Sequence, residues 1–244
     1  MKLVRLTLVA LLALAGIAQA QTMLGGNNRL SFPFYINQPG SYKLAGPIVV
    51  PAGLQGFIIA ANDVTLDLNG YTIQGPNKCS PNPGGPGVVC TLADAALPGI
   101  QVTSGGGGVV VRNGTVRGFA GDGVYLGAGS RAEALTVAEN AGLGLYVGSG
   151  SVASGIVSRF NRRYGIYASG SVVSDVTAER NVEGGVGLYG ASLLRAATLI
   201  NNGGFAVTAQ NGSGYRDVVM MSPGGAYVSG GVSLGGNLCG GVPC

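Results

Sequence analysis

Apolar positions in this chain come in short, often β-branched runs, and Gly, Ser or Asn closes each run before a helical spacing can develop. From Glu139 to Gly190 the runs recur with a period of about twenty residues. Asn140, Asn161, Asn181 and Asn201 are separated by 21, 20 and 20 residues, and the triplets Gly123-Val124-Tyr125, Gly144-Leu145-Tyr146 and Gly165-Ile166-Tyr167 by 21 and 21. Short strands at that period predict the coils of a parallel β-helix, each coil supplying two or three strands. Helical repeats need more than about thirty residues and a 3.6-residue pattern, and the Leu and Asn spacing of leucine-rich repeats does not occur. A stacked asparagine fits such coils, since its amide bonds to the coils above and below and it tolerates a left-handed corner.

The same pattern extends toward the N-terminus. Ile48-Val49-Val50, Phe57-Ile58-Ile59 and Val64 to Gly70 read as strands parted by turns, and Asn69 to Gly75 recurs 44 residues later as Asn113 to Gly118. The offset is about one repeat plus an insertion at 76–98. Residues 21–39, with Phe32, Phe34, Tyr35 and two prolines, are expected to cap the first coil. Residues 40–236 form the solenoid, of about eight rungs by length over period, and 237–244 a pinned C-terminal end. Residues 1–20 read as a secretory signal: Lys2 and Arg5, an apolar stretch from Leu6 to Ile17, then Ala18-Gln19-Ala20. That stretch is too short to span a bilayer, so the mature chain is expected to be secreted or periplasmic.

Composition sharpens this picture in three places. Of 14 Lys and Arg, two lie in the signal, leaving 12 basic residues against 10 acidic ones, which argues against a nucleic-acid partner. Four cysteines in an exported chain imply two disulfides, paired by nearness as Cys79 with Cys90 and Cys239 with Cys244. The chain has no His and no CxxC pair, so no metal site is expected.

The runs GSYKLAGPIVV, FIIAANDVTLDLNGYTIQG and VVVRNGTVRGF, followed by Gly-apolar-Tyr rungs, resemble secreted bacterial right-handed parallel β-helix repeat proteins of the pectate-lyase-like superfamily. The resemblance covers nearly the whole mature chain. It implies the fold and leaves function open, because lyases, hydrolases, epimerases and tailspikes share it. The lyases hold Ca²⁺ on clustered acids with an Arg or Lys as base, and no DxD cluster stands here to do so.

Residues a full period apart stack about 4.8 Å apart. Arg159 over Glu179, Arg163 over Glu183 and Asp175 over Arg195 are therefore expected ion pairs. Glycosidic hydrolysis needs two carboxylates about 5–9.5 Å apart, and no acidic residue has another at i+2, i+20 or i+21. If chemistry occurs, Arg117 and Asp122 after the insertion are the candidates. Strand alternation turns Tyr125, Tyr146 and Tyr167 outward as a ladder, a candidate surface for sugar or a partner. The leading expectation is thus an exported, non-enzymatic solenoid that binds an extracellular or envelope ligand, carbohydrate by its tyrosines, without cofactor. The alternative is a polysaccharide-active lyase, hydrolase or epimerase, with Ca²⁺ needed only for a lyase.

Overall fold

Every coil turns on residues that accept a left-handed backbone, and those residues stack into columns. The computed structural model describes residues 21–26, 30–83, 88–91, 96–103, 107–210 and 212–244; the expected signal at 1–20 lies outside them. The chain is a parallel β-solenoid of about 10 turns with no helix among the described residues. A 14-stranded sheet and a 9-stranded sheet form its walls, and a two-stranded hairpin stands apart.

The short-strand sheet runs from Phe34–Ile36 through Phe57–Ile59, Ile100–Val102, Val124–Leu126, Leu145–Val147, Tyr164–Ser169, Gly184–Tyr189 and Phe205–Ala209 to Val228–Ser229. Alternation puts Phe57, Ile100, Val124, Leu145, Ile166, Val186 and Val207 into one fully buried inward column. In the other sheet, five eight-residue strands lie in parallel register from Val110–Arg117 to Leu193–Ile200, then Gly214–Met221. Each bends at its fourth residue, where Asn113, Ala134, Gly155, Asp175, Ala196 and Asp217 all have positive φ. A second such column, Glu139, Phe160, Arg180 and Asn201, ends each strand.

The asparagine ladder follows that second corner, with one correction. Asn140 Nδ2 donates to Asn161 Oδ1 at 3.0 Å, Asn161 to Asn181 at 2.9 Å, and Asn181 to Asn202 at 3.1 Å. Asn202, not Asn201, is the fourth member; Asn201 occupies the left-handed position before it, at φ 53. Two adjacent asparagines fit the period equally well, and only the corner geometry separates them. A second ladder went unread: Ser130 N–H donates to Ser151 Oγ at 3.0 Å, Ser171 to Ser192 at 3.1 Å, and Ser192 to Ser213 at 3.2 Å. Its signal was present as Gly-Ser or Ala-Ser at 129–130, 150–151, 170–171, 191–192 and 212–213.

The ends belong to the solenoid. Thr22–Leu24 pairs with Tyr42–Leu44 and Phe34–Ile36 with Phe57–Ile59, so the described strands within 21–39 join the two sheets where a cap was expected. This is one reason for about 10 turns in place of eight. At the other end Leu238–Cys239 joins the sheet beside Val219 and Met220, closed by the Cys239–Cys244 disulfide. Within the insertion, Lys78–Pro81 pairs antiparallel with Val88–Thr91, and Cys79–Cys90 bridges the two strands.

Candidate functional site

On the outer side of the short-strand sheet, the residues between the inward columns stack in register. In order they are Tyr35, Ile58, Gln101, Tyr125, Tyr146, Tyr167, Gly187 and Thr208. The structure therefore brings the three expected tyrosines together. Tyr125 and Tyr146 lie face to face, centroids 4.4 Å apart at 7°, and Tyr146 and Tyr167 follow at 5.7 Å and 24°.

Two further tyrosines complete the strip. Gly187 takes the register position after Tyr167, and the space it leaves is filled from both sides. A β-carbon there would lie 3.3 Å from the rings of both Tyr167 and Tyr189. Tyr189 stacks on Tyr167 at 4.4 Å and 14°, while Tyr164 meets Tyr167 edge-on at 6.2 Å and 73°. Tyr189 escaped the sequence reading because it sits two residues beyond the repeat position. Tyr164 sits three residues before it.

This stacking decides what the strip can offer. Each inner ring spends both faces on its neighbours, so a ligand along the axis meets ring edges and hydroxyls rather than the flat faces on which sugars stack. Burial, helped by Tyr164 and Tyr167, pushes the Tyr189 phenol up to about 12, and burial beside Tyr125 raises that of Tyr146. Tyr164 Oη donates to Thr208 Oγ1 at 3.2 Å, and Gln55 Nε2 donates to Gln101 Oε1 at 2.7 Å, so polar groups border both ends.

Charged groups line the corner that leads into these strands. Leu143 N–H donates to Asp122 Oδ1 at 2.7 Å, and burial raises the Asp122 carboxyl above its ordinary 3.8 despite that bond and the nearby Arg163. Arg163 Nε reaches both oxygens of Glu183 at 3.2 Å, the pair expected from the period. Asp122 and Glu183 thus flank one guanidinium. Their main chains stand three coils apart, Gly142 bonding to Gly121, Arg163 to Gly142 and Glu183 to Arg163. That is about 14 Å at the backbone, wider than a hydrolytic pair requires.

Other expected residues fall elsewhere. Arg117 lies on the other sheet, bonded to Gln74 at 3.0 Å with Glu139 at 4.0 Å, and no hydrogen bond or ion pair joins it to Asp122 among the described residues. Arg159 does stack on Glu179 in register, but the ion pair of Glu179 is with its neighbour Arg180 at 3.8 Å. Asp175 does not stack on Arg195. Coils there are 21 residues long, so Arg195 lies over Ser174 and under Arg216. Asp175, Arg195, Arg216 and Asp217 instead border a cleft of about 510 Å³, in which Arg216 holds Asp217 at 2.8 Å. Among the described residues no group of three or more His, Cys, Asp or Glu could hold a metal ion. Asp94, an acid of the insertion, lies outside the described residues.

No protein family and no curated protein matches the sequence. Solved structures similar to the chain are right-handed β-helix proteins. The enzymatically active domain of bacteriophage CBA120 tailspike protein 2 has a TM-score of 0.49 at 10% identity, over 82% of this chain and 36% of that one. Pectate lyase Pel9A has 0.48 at 14%, over 86% and 74%, and the Azotobacter vinelandii mannuronan C-5 epimerase AlgE6 A-module 0.35 at 11%, over 90% and 88%. The chain spans about a third of the length of that tailspike domain.

Proposed function

We propose that the protein engages a polysaccharide laid along the solenoid axis on the outer face of the short-strand sheet. The observation that carries this is the unbroken strip Tyr125, Tyr146, Tyr167 and Tyr189, whose phenol edges and hydroxyls repeat once per coil. A polymer with a short repeat and many hydroxyls meets the same donor and acceptor at every step. Gln101, Thr208 and the Asp122–Arg163–Glu183 corner give the strip polar borders. Two disulfides support an exported location, where such polymers occur.

Processing of the bound chain is supported at least as well as retention alone. A carboxyl that burial inclines toward its protonated form is suited to donate a proton, and Asp122 is such a group three residues before Tyr125. Its partner would be supplied by the substrate or by a group beyond Arg163, since Glu183 is committed to that arginine.

The test is retention and turnover of the oxidised mature protein on a panel of neutral and acidic polysaccharides, with and without Ca²⁺. Retention on one polymer, lost in Tyr146→Phe/Tyr189→Phe, is expected. Equal retention by that variant removes the hydroxyl strip from the reading. Turnover abolished by Asp122→Asn, with retention intact, assigns processing.

A further inference from the structure

The tyrosine strip has a chemistry of its own, independent of any ligand. Two of its contacts are closer and flatter than the rest: Tyr125 on Tyr146 at 4.4 Å and 7°, and Tyr167 on Tyr189 at 4.4 Å and 14°. The contact between the pairs is wider, 5.7 Å at 24°. The near-parallel rings of each close pair face one another, and all four rings are partly exposed. Apart from Tyr164, edge-on to Tyr167, no other tyrosine pair is in ring contact among the described residues.

We propose that Tyr125 with Tyr146, and Tyr167 with Tyr189, are sites of intramolecular oxidative coupling, in which a one-electron oxidant such as a haem peroxidase with hydrogen peroxide stitches neighbouring coils together. Each phenol gives up one electron and one proton to become a phenoxyl radical. The two radicals join through their ortho carbons, and the displaced ortho hydrogens pass to the oxygens as protons, restoring both phenols. The pair as a whole loses two hydrogen atoms, and one hydrogen peroxide accepts them to leave two waters. Stacking helps twice, because it holds the partners in contact before oxidation and lets a radical formed on any ring reach its neighbour. Exported proteins meet such oxidants, and the two disulfides show that this chain is compatible with oxidising conditions.

The experiment treats the dilute, disulfide-intact protein with horseradish-type haem peroxidase and limiting hydrogen peroxide. It follows dityrosine fluorescence, intact mass and tryptic peptides. Cleavage after Arg117, Arg131, Arg159, Arg163, Arg180 and Arg195 places the four tyrosines on separate peptides, and fragment ions tell Tyr167 from Tyr164 on the peptide they share. Expected are monomers that lose two hydrogen atoms per link, with peptides joined Tyr125–Tyr146 and Tyr167–Tyr189. Tyr146→Phe, which keeps the ring and its stacking, should abolish the first link and leave the second, and Tyr189→Phe should do the reverse. Links mainly between molecules, fluorescence undiminished in the double variant, or no coupling in folded protein would each overturn the proposal.

Discussion

Replacing Asn161 by alanine tests the ladder where it carries most. Asn161 is fully buried, and its Nδ2 donates to Val137 O at 3.2 Å, Ser158 Oγ at 3.0 Å and Asn181 Oδ1 at 2.9 Å. Its Oδ1 accepts from the backbone N–H of Asn140 at 3.1 Å and from Asn140 Nδ2 at 3.0 Å. The two amide hydrogens share those three acceptors, so about four bonds are lost at about 0.5–1.5 kcal/mol each, and a buried backbone N–H is left without its acceptor. Allowing for a water in the vacated space, Asn161→Ala should cost about 3–5 kcal/mol. Asn201→Ala loses only a residue tolerant of the left-handed corner, about 1 kcal/mol. Urea unfolding gives the two values. Hydrogen exchange should further show that the loss of protection in Asn161→Ala is confined to the coils around Asn140 and Asn181, since a stacked chain is stabilised coil by coil. The ladder account is refuted if Asn161→Ala costs less than about 1 kcal/mol, or if Asn201→Ala costs as much.

Further outcomes follow from other parts of the molecule. Gly165→Ala should cost about 1–3 kcal/mol, because its β-carbon would lie 2.6 Å from Asn181 Nδ2 and 2.8 Å from Gly185 O; thermal unfolding measures it. The Tyr189 phenol is raised in the folded protein, so its contribution to stability is complete below pH 10.0 and is lost as pH rises toward about 12. In Tyr189→Phe the fall in stability over that window should be smaller. For Asp122 the raised carboxyl means that the folded state binds its proton more tightly, so ionisation costs stability as pH rises. Asp122→Asn should therefore be at least as stable as the parent at neutral pH, with the difference vanishing below pH 3.8, as urea titrations across pH would show. Opening Cys239–Cys244 by Cys244→Ser removes a loop of five residues, worth about 2 kcal/mol, and faster exchange should appear at Val218 and Gly240 before the central coils.

The sequence revealed the coil because a coil must satisfy the same geometry again and again. Gly-apolar-Tyr and Asn marked that period without any structural input, and both disulfides followed from nearness in the chain. What the sequence hid was length within the period. Register advances by 21 residues from Val110 to Arg131 and from Arg131 to Val152, by 20 from Val152 to Val172, and by 21 again to Leu193. One fixed step therefore places Arg163 over Glu183 correctly and slips by one at Asp175 and at Asn201. The site was half legible for a related reason. Tyr125, Tyr146 and Tyr167 repeat strictly, whereas Tyr164 and Tyr189 lean in from outside the register to cover Gly187. Arg117 and Asp122 are near in sequence, but the corner at Gly118 sends them to different faces.

The stacked columns also make the molecule a ruler. Asn140 and Asn161 hold equivalent places, so excision of residues 140–160 would join Glu139 directly to Asn161 and leave every column in step. Ser130 would then face Ser171 and Tyr125 would face Tyr167, the cut ends meeting as the old neighbours did. Lengthening works by the same substitution read backwards. The reach of the outer strip is thus an integer, the number of coils, and a lineage can lengthen or shorten that strip by copying or dropping one coil while the stacked contacts stay in register.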